Sequence, residues 1–418
     1  MHRGDESCLP PEVRPLQHDG KSGFVLSQRI ALGFGNNVDL EIAWDAETIN
    51  NLVADYAIVA ADLAGERVIT NERELLISIL RFVQAGRGGE RFVANSGLIE
   101  HFASRFQRKI SLGGSPPRAA IAMGKLGHTA ALHLVSINDE IRQLLPAACP
   151  WVCSNPRDSH YPHLIVQYAR GATIQANDIH IVAPAANRLI YHCNADNITM
   201  RLNADFADLL TNARALLVSG FNAMQSADLL IARLENLSEM LQKLPAEAVL
   251  FCEDGGYFDA KFRRILQTQL VSRLDVYSMN EDELAEQLGA RIPLDDAQAI
   301  LPALDWLQGR IPAKTLVLHT NRWALAHGGG AKRYDSALRA GVTVATTRYC
   351  HGDDWTLVDY QAMQARPPSP ANAHFAEAIH ASRDDTCCVP VATVAPTYPT
   401  TIGLGDAFVG GFMTALAD

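Results

Sequence analysis

Gly403, Leu404, Gly405 and Asp406 stand just ahead of the small-residue run Ala407 to Met413, so two glycines precede an acid where a helical pattern begins. Glycine lets a backbone turn tightly and approach a ligand with no Cβ in the way. The amides of Leu404, Gly405 and Asp406 would then point out of a helix N-terminus, where unpaired N–H groups and the helix dipole favour an anion. Asp406 adds a carboxylate beside that anion, placed to take a proton from a hydroxyl attacking a phosphoryl group. The same residues also suit an ordinary glycine turn with Asp as helix N-cap. Asn280 and Glu283 form an N-x-x-E pattern. This is the spacing of a capping box, and it also supplies the oxygen donors that a hydrated Mg²⁺ ion prefers. Glu253 follows an apolar run at Val249 to Cys252 and makes a third acid.

Those acids need a scaffold. Arg29 to Gly35, Thr129 to Val135, Ala215 to Ser219, Ala248 to Cys252, Val271 to Met279, Thr315 to His319 and Trp323 to His327 read as strands. Helical spacing fills much of the chain between them, notably Glu47 to Ala85, Gly97 to Phe106, Arg118 to Lys125 and Met224 to Leu244. Alternation of this kind predicts an α/β fold with a mostly parallel sheet covered by helices on both faces. Ligands of such sheets bind at the C-terminal edge of the strands, where Glu253 and Asn280 fall. Ile110 to Pro117 is expected to be a strand that breaks into a loop. The stretch from Trp151 to Tyr191 is richer in alternating β patterns, at His163 to Ala169 and Arg188 to Cys193, and predicts a separate small sheet.

With 418 residues, 48% hydrophobic and 20% charged, the chain can bury a large core and has the profile of a globular protein. Lys plus Arg is 36 against 46 Asp plus Glu, a net charge of −10, which argues against nonspecific binding to nucleic acid or an anionic membrane. No apolar stretch is long enough to span a bilayer, and the polar segment Met1 to Gly20 lacks the apolar centre of a signal peptide. Of eight cysteines only Cys149 and Cys153 have a spacing that suggests metal, and nothing completes four ligands, so reduced thiols in a cytoplasmic protein are expected. Gly33-x-Gly35 after the first strand lacks a third glycine, position 38 being Val38, which makes a dinucleotide-dependent oxidoreductase a poor fit.

Taken together, the motifs resemble the ribokinase superfamily, and more closely its ADP-dependent glucokinase/phosphofructokinase family, in order along nearly the whole chain. Asn37-x-Asp39 is similar to the family's sugar-holding N-x-D signature, and Gly113-Gly114 to its Gly-Gly loop beside the sugar. Asn187-Arg188-Leu189-Ile190 resembles an N-R-F-I segment whose Arg reaches toward phosphate. Ser219-Gly220-Phe221 and His319-Thr320 resemble turns near the ligands, while Asn280 with Glu283, and Gly403-x-Gly405-Asp406, resemble the magnesium and catalytic motifs. Three departures are visible: Phe251-Cys252-Glu253 where the family has H-x-E, the proline-stiffened Gly113-Gly114-Ser115-Pro116-Pro117, and Asn222 where Gln is common.

The resemblance implies a ribokinase-like core with a smaller α+β lid, and a kinase moving a phosphoryl group from ADP to a hydroxyl of a hexose or hexose phosphate. Asp406 would be the base, the 403–406 turn would steady the transferring group, and Arg188 would offset its charge. Asn37, Asp39, Gly113 and Gly114 would hold the sugar. Arg170 stands where phosphofructokinase members carry a cation for the sugar's own phosphate, although it also reads as a solvated strand end. Asn280, His319, Thr320 and Gly352, the last in an expected 341–352 loop, would lie at the nucleotide, and Glu253 and Glu283 would hold Mg²⁺. The expected organisation is a lead-in at 1–24, a large domain at 25–40, 112–150 and 184–418, and a lid at 41–111 and 151–183. Donor identity (ADP or ATP), the acceptor, the oligomeric state and a catalytically silent, ligand-binding role stay open at this level.

Overall fold

The computed structural model describes residues 29–257, 259–270, 273–396 and 399–417. The lead-in at 1–24, and the first residues of the expected large domain, lie outside the described residues. Sixteen strands are present among those described: β1 Ile30–Gly33, β2 Asn37–Ile42, β3 Gly89–Phe92, β4 Arg108–Gly113, β5 Ala131–Leu134, β6 Trp151–Cys153, β7 His163–Tyr168, β8 Thr173–Ala176, β9 Ile179–Val182, β10 Asn187–His192, β11 Ala215–Val218, β12 Val249–Glu253, β13 Val276–Asn280, β14 Thr315–His319, β15 Trp323–Gly328 and β16 Thr386–Pro390.

Nine of them form one sheet in the order β6-β5-β1-β11-β12-β13-β14-β15-β16. Every pairing from β6 through β14 is parallel; β15 alone is reversed, pairing antiparallel with both β14 and β16. The strands read as unbroken apolar runs because both faces are buried. On one face Ile30, Leu32, Leu217, Phe251 and Val317 pack under the helices Ser115–Lys125, Asp335–His351 and Leu404–Ala417. On the other, Ala31, Leu216, Val218, Leu250 and Leu318 pack under Ala227–Met240, Ala260–Gln269, Ala297–Gln308 and Pro370–Ser382.

Five strands make a second sheet in the order β3-β10-β7-β2-β4, with the hairpin β8-β9 beside it. Val38, Leu40, Leu112, Leu164, Val166, Leu189 and Tyr191 point to the helices Ala46–Asp55, Glu72–Ala85 and Ser96–Ala103. The alternate residues, Asp39, Glu41, Ile165, Arg188 and Ile190, therefore face the other way, toward the large sheet. No described helix is long and apolar enough to cross a membrane.

Several local expectations shift. The second sheet begins at Asn37 and takes in β10, so it reaches beyond 41–111 and 151–183, whereas Trp151–Cys153 pairs with β5 in the large sheet. The helical pattern from Glu47 to Ala85 divides into two helices, capped by Asp45 and Asn71. Ser115, Pro116 and Pro117 are the first turn of a helix and not a loop, because the first turn has no use for the missing proline N–H groups. Thr386–Pro390 adds an edge strand that the sequence reading lacked. The 341–352 segment is the C-terminal part of the helix Asp335–His351, with Gly352 as its cap.

Gly410 lets the final helix lie close to Ser115–Lys125, since a Cβ there would stand 2.8 Å from both the Ala119 carbonyl oxygen and the Ala122 Cβ. Gly410→Val should cost about 1–3 kcal/mol by overpacking, read as a lower urea midpoint with an unchanged slope. An unchanged midpoint would mean the two helices can part freely.

Candidate active site

The parallel strands end in polar residues along one edge. Glu253, Asn280 and His319 are the last residues of β12, β13 and β14, and Asn280 pairs directly with His319. The His319 Nε2 lies 3.0 Å from Glu253 Oε1, and its ring stacks on Phe408 of the final helix with centroids 4.7 Å apart. Glu253 Oε2 is buried and has no hydrogen-bond partner. Asn280 Oδ1 accepts from the amides of Asp282 (2.8 Å) and Glu283 (3.0 Å), while Glu283 Oε2 accepts from the Asn280 amide at 2.8 Å. The capping box is therefore real. Burial, then the negative charges of Asp254 and Glu253, hold the Glu283 carboxyl well above its ordinary pKa. Asp254 is pushed up to about 6, chiefly by burial. It accepts from Arg263 Nε at 3.0 Å and from Gln287 Nε2 at 3.0 Å.

Opposite this edge stands the turn into the helix Leu404–Ala417. Gly403 has φ of 60°, and a Cβ there would collide with the Arg118 guanidinium. The amide of Ala407 donates to Gly403 O at 3.0 Å. The three amides before it, those of Leu404, Gly405 and Asp406, belong to the first helical turn, which lacks internal acceptors. Unpaired N–H groups at a helix N-terminus are the kind of group that can meet an anion.

On the lid side, Asp39 Oδ1 accepts from Asn37 Nδ2 at 2.5 Å and Oδ2 accepts from Arg118 Nη2 at 2.7 Å. Arg118 also lies 3.8 Å from Glu41 Oε1 and 3.7 Å, through Nε, from Asp406 Oδ2. Burial raises the Asp39 pKa to about 6 against the lowering pull of Arg118, with Glu41 adding to the rise. Two further contacts join lid and core: Thr401 Oγ1 donates to Gln167 Oε1 at 3.3 Å, and Lys109 pairs with Asp353.

A cleft of about 910 Å³ runs between the lid and the C-terminal edge of the large sheet, within the range of small-molecule sites. Every sequence-predicted site residue except Gly113, Arg170 and Gly352 lines it. Gly113 sits behind the lining, where a side chain would strike Asn37 and Asp39. Arg170 is exposed at the turn after β7, the solvated strand end of the alternative reading. Gly352 caps a helix whose residues Val342, Ala345, Thr346 and Tyr349 supply the cleft wall instead. Thr320 does line the cleft, but its hydroxyl closes its own turn, donating to Trp323 O at 2.9 Å. Arg188 lines the cleft from β10, and among the described residues its guanidinium has no partner.

Sequence reasoning missed Arg118 and Asp254. Arg118 left one signal, a cation inside the otherwise apolar helical run Pro116 to Met123. Among the described residues no group of three or more His, Cys, Asp or Glu side chains is close enough to hold a metal directly. Glu253 and Glu283 are the carboxylates at this edge that could meet a hydrated divalent cation, which prefers oxygen donors.

Residues 28–413 match the sequence profile of the ADP-specific Phosphofructokinase/Glucokinase conserved region. The fold is similar to that of a phosphofructokinase from Pyrococcus horikoshii OT3 solved with AMP, at 18% identity and a TM-score of 0.70, covering 93% of this chain and 98% of that one. It is also similar to an ADP-dependent kinase in complex with fructose-6-phosphate and ADPβS, at 11% identity and a TM-score of 0.72, covering 94% of each chain. A third similar structure is the last common ancestor of ADP-dependent phosphofructokinases from Methanosarcinales, at 13% identity and a TM-score of 0.69, covering 94% of each chain. No curated protein sequence matches.

Because Asp39 binds its proton more tightly folded (about 6) than unfolded (3.8), its neutral form favours folding below the unfolded value, and that contribution is lost as pH rises through the folded one. The unfolding free energy of the wild type minus that of Asp39→Asn should therefore fall by up to about 3 kcal/mol between pH 4 and pH 7. A flat difference in urea titrations would return Asp39 to the ordinary carboxylate range.

Proposed function

The chain belongs to the ADP-specific phosphofructokinase/glucokinase family, which makes it a sugar kinase, and from that premise we propose that it moves the β-phosphoryl group of ADP to a sugar hydroxyl, releasing AMP. The observation that carries the reading is the convergence of Asp406, the first-turn amides and Asp39 on one cleft.

The sugar lies between Asp39 and the final helix, its hydroxyls donating to the Asp39 carboxylate beside Gly114. The nucleotide base occupies the part of the cleft walled by Val342, Thr346, Tyr349 and the 391–394 segment, and its phosphates run toward the 404–406 amides. The acceptor oxygen attacks the β-phosphorus, the bond from that phosphorus to the bridging oxygen of the α-phosphate breaks, and AMP leaves with the bonding pair. The acceptor's proton passes to an Asp406 carboxylate oxygen. Little covalent work falls to the protein, so most of the rate comes from position and charge. The helix amides meet negative charge on the transferring group, and Arg188, with no competing partner among the described residues, reaches it from the lid. The two sheets enclose the cleft and keep water from acting as acceptor.

Glu253 and Glu283 would hold Mg²⁺ through its waters, and the ion would neutralise phosphate charge there. The unpartnered Glu253 Oε2 and the crowding of Glu283 by Glu253 and Asp254 fit a missing positive charge at that place.

A coupled assay with ADP or ATP against hexoses and hexose phosphates tests the donor: ADP should support turnover, and turnover with ATP alone would overturn the reading. Asp406→Asn should lower kcat about a hundredfold or more with nucleotide binding kept, and near-normal turnover would remove Asp406 as the base. Glu253→Gln should raise the Mg²⁺ concentration for half-maximal rate about tenfold or more; an unchanged Mg²⁺ requirement would separate Glu253 from the ion.

A further inference from the structure

Arg118 lines the cleft, and phosphoryl transfer, as set out above, gives it no task. It sits in the first turns of Ser115–Lys125, where its amide donates to Gly114 O at 3.3 Å, and its side chain is 8% exposed. Its guanidinium lies against Gly403 and meets acids from both sides of the cleft: Asp39 and Glu41 from β2 of the lid, and Asp406 from the final helix. The contacts are unequal. The 2.7 Å approach of Nη2 to Asp39 is a charge-assisted hydrogen bond, whereas the 3.7 Å from Nε to Asp406 is too long for one and acts through charge. Glu41 has a second partner in the Ser111 hydroxyl, at 2.5 Å.

A guanidinium is planar, with its N–H groups fixed in one fork, so Nη2, which donates to Asp39, and Nε, which faces Asp406, point in directions that the group itself sets. The base of that fork cannot wander, because its helix is locked against the final helix at Gly410. Without the cation, three carboxylates at this spot would repel one another and spread.

We propose that Arg118 is a positioning residue whose guanidinium fixes the placement of Asp39, which holds the acceptor, relative to Asp406, which takes the acceptor's proton. The proposal rests on the phosphoryl-transfer reading and adds to it the part that registers lid against base. Charge alone is not the point, because a lysine ammonium at the same place would also neutralise. Its single flexible point charge can follow one acid but cannot hold two at a set spacing.

Arg118→Lys separates the two effects. The expected result is a kcat lower by about 10- to 100-fold, since small misplacements of reacting groups cost that much, with the acceptor KM within about threefold of wild type. An unchanged kcat overturns the proposal, and so does a raised KM with kcat kept, which would make Arg118 a support for acceptor binding alone. A second measurement needs no turnover: urea midpoints of Asp39→Asn, Asp406→Asn and the double variant, each with Arg118 present and with Arg118→Lys. Non-additive effects that become additive with Arg118→Lys are expected. Additive effects with Arg118 present overturn the proposal, and this arm decides the matter even if Arg118→Lys fails to fold. A wild type inactive on every donor and acceptor would sink the kinase reading itself, an outcome distinct from either failure of the positioning role.

Discussion

A carboxylate and a guanidinium, both almost wholly removed from water, join the lid to the core through Asp39 and Arg118. Burying two charges is unfavourable unless their geometry is good and their remaining polar atoms are satisfied. Asp39 meets that demand with a second donor, Asn37, two residues away on the same strand face. The resulting arrangement is still strained toward the neutral acid, as the rise of Asp39 to about 6 shows. A hydrophobic contact could tie the two sheets together with less penalty. The retained ion pair instead leaves a carboxylate lining the cleft, where the proposed acceptor hydroxyl would meet it.

The large sheet explains why the other polar groups gather where they do. Each of its strands must be apolar on both faces while helices cover it, so Leu250, Phe251 and Cys252 are all buried before Glu253. The first place where a strand can carry a charge is its end. Because β12, β13 and β14 are parallel, their ends lie on the same edge, and Glu253, Asn280 and His319 become neighbours despite wide separation in sequence. The final helix comes back over this edge with Phe408 against the His319 ring. Packing thus holds the amide-bearing turn at a set height above the acids.

Much of this was legible in the chain for physical reasons. Unbroken apolar runs declare strands buried on both faces, and acids placed just after such runs must sit at the open edge, which located Glu253, Asn280 and Glu283. Gly403 and Gly405 before Asp406 declared a turn with bare amides. The illegible parts depended on which strand ends up beside which. Residues 25–40 read as one piece of the large domain, but β2, from Asn37, belongs to the second sheet, as its alternating pattern suits. Arg170 looked like a site residue from its order along the chain, but only register shows that it follows β7 beyond the cleft. Arg118 was invisible because its partners come from β2 and the final helix, 79 residues away in the first case. The two prolines before it suggested a loop, while their fixed backbone angles were in fact starting a helix.

The pair Asn280 and Glu283 shows why a structural and a functional reading of one motif need not compete. A capping box fixes both side chains: Asn280 is held by two amides and Glu283 by one. Such fixing normally satisfies a helix terminus and nothing more. Here it also pins one oxygen of Glu283 and so limits how the carboxylate can turn away from Glu253 and Asp254, although their charges disfavour its ionised form. An acid free to rotate would relieve that repulsion by swinging into solvent. The cap therefore keeps the Glu283 carboxyl beside Glu253 and Asp254 at the edge of the cleft, where the cation proposed above would meet it already in place.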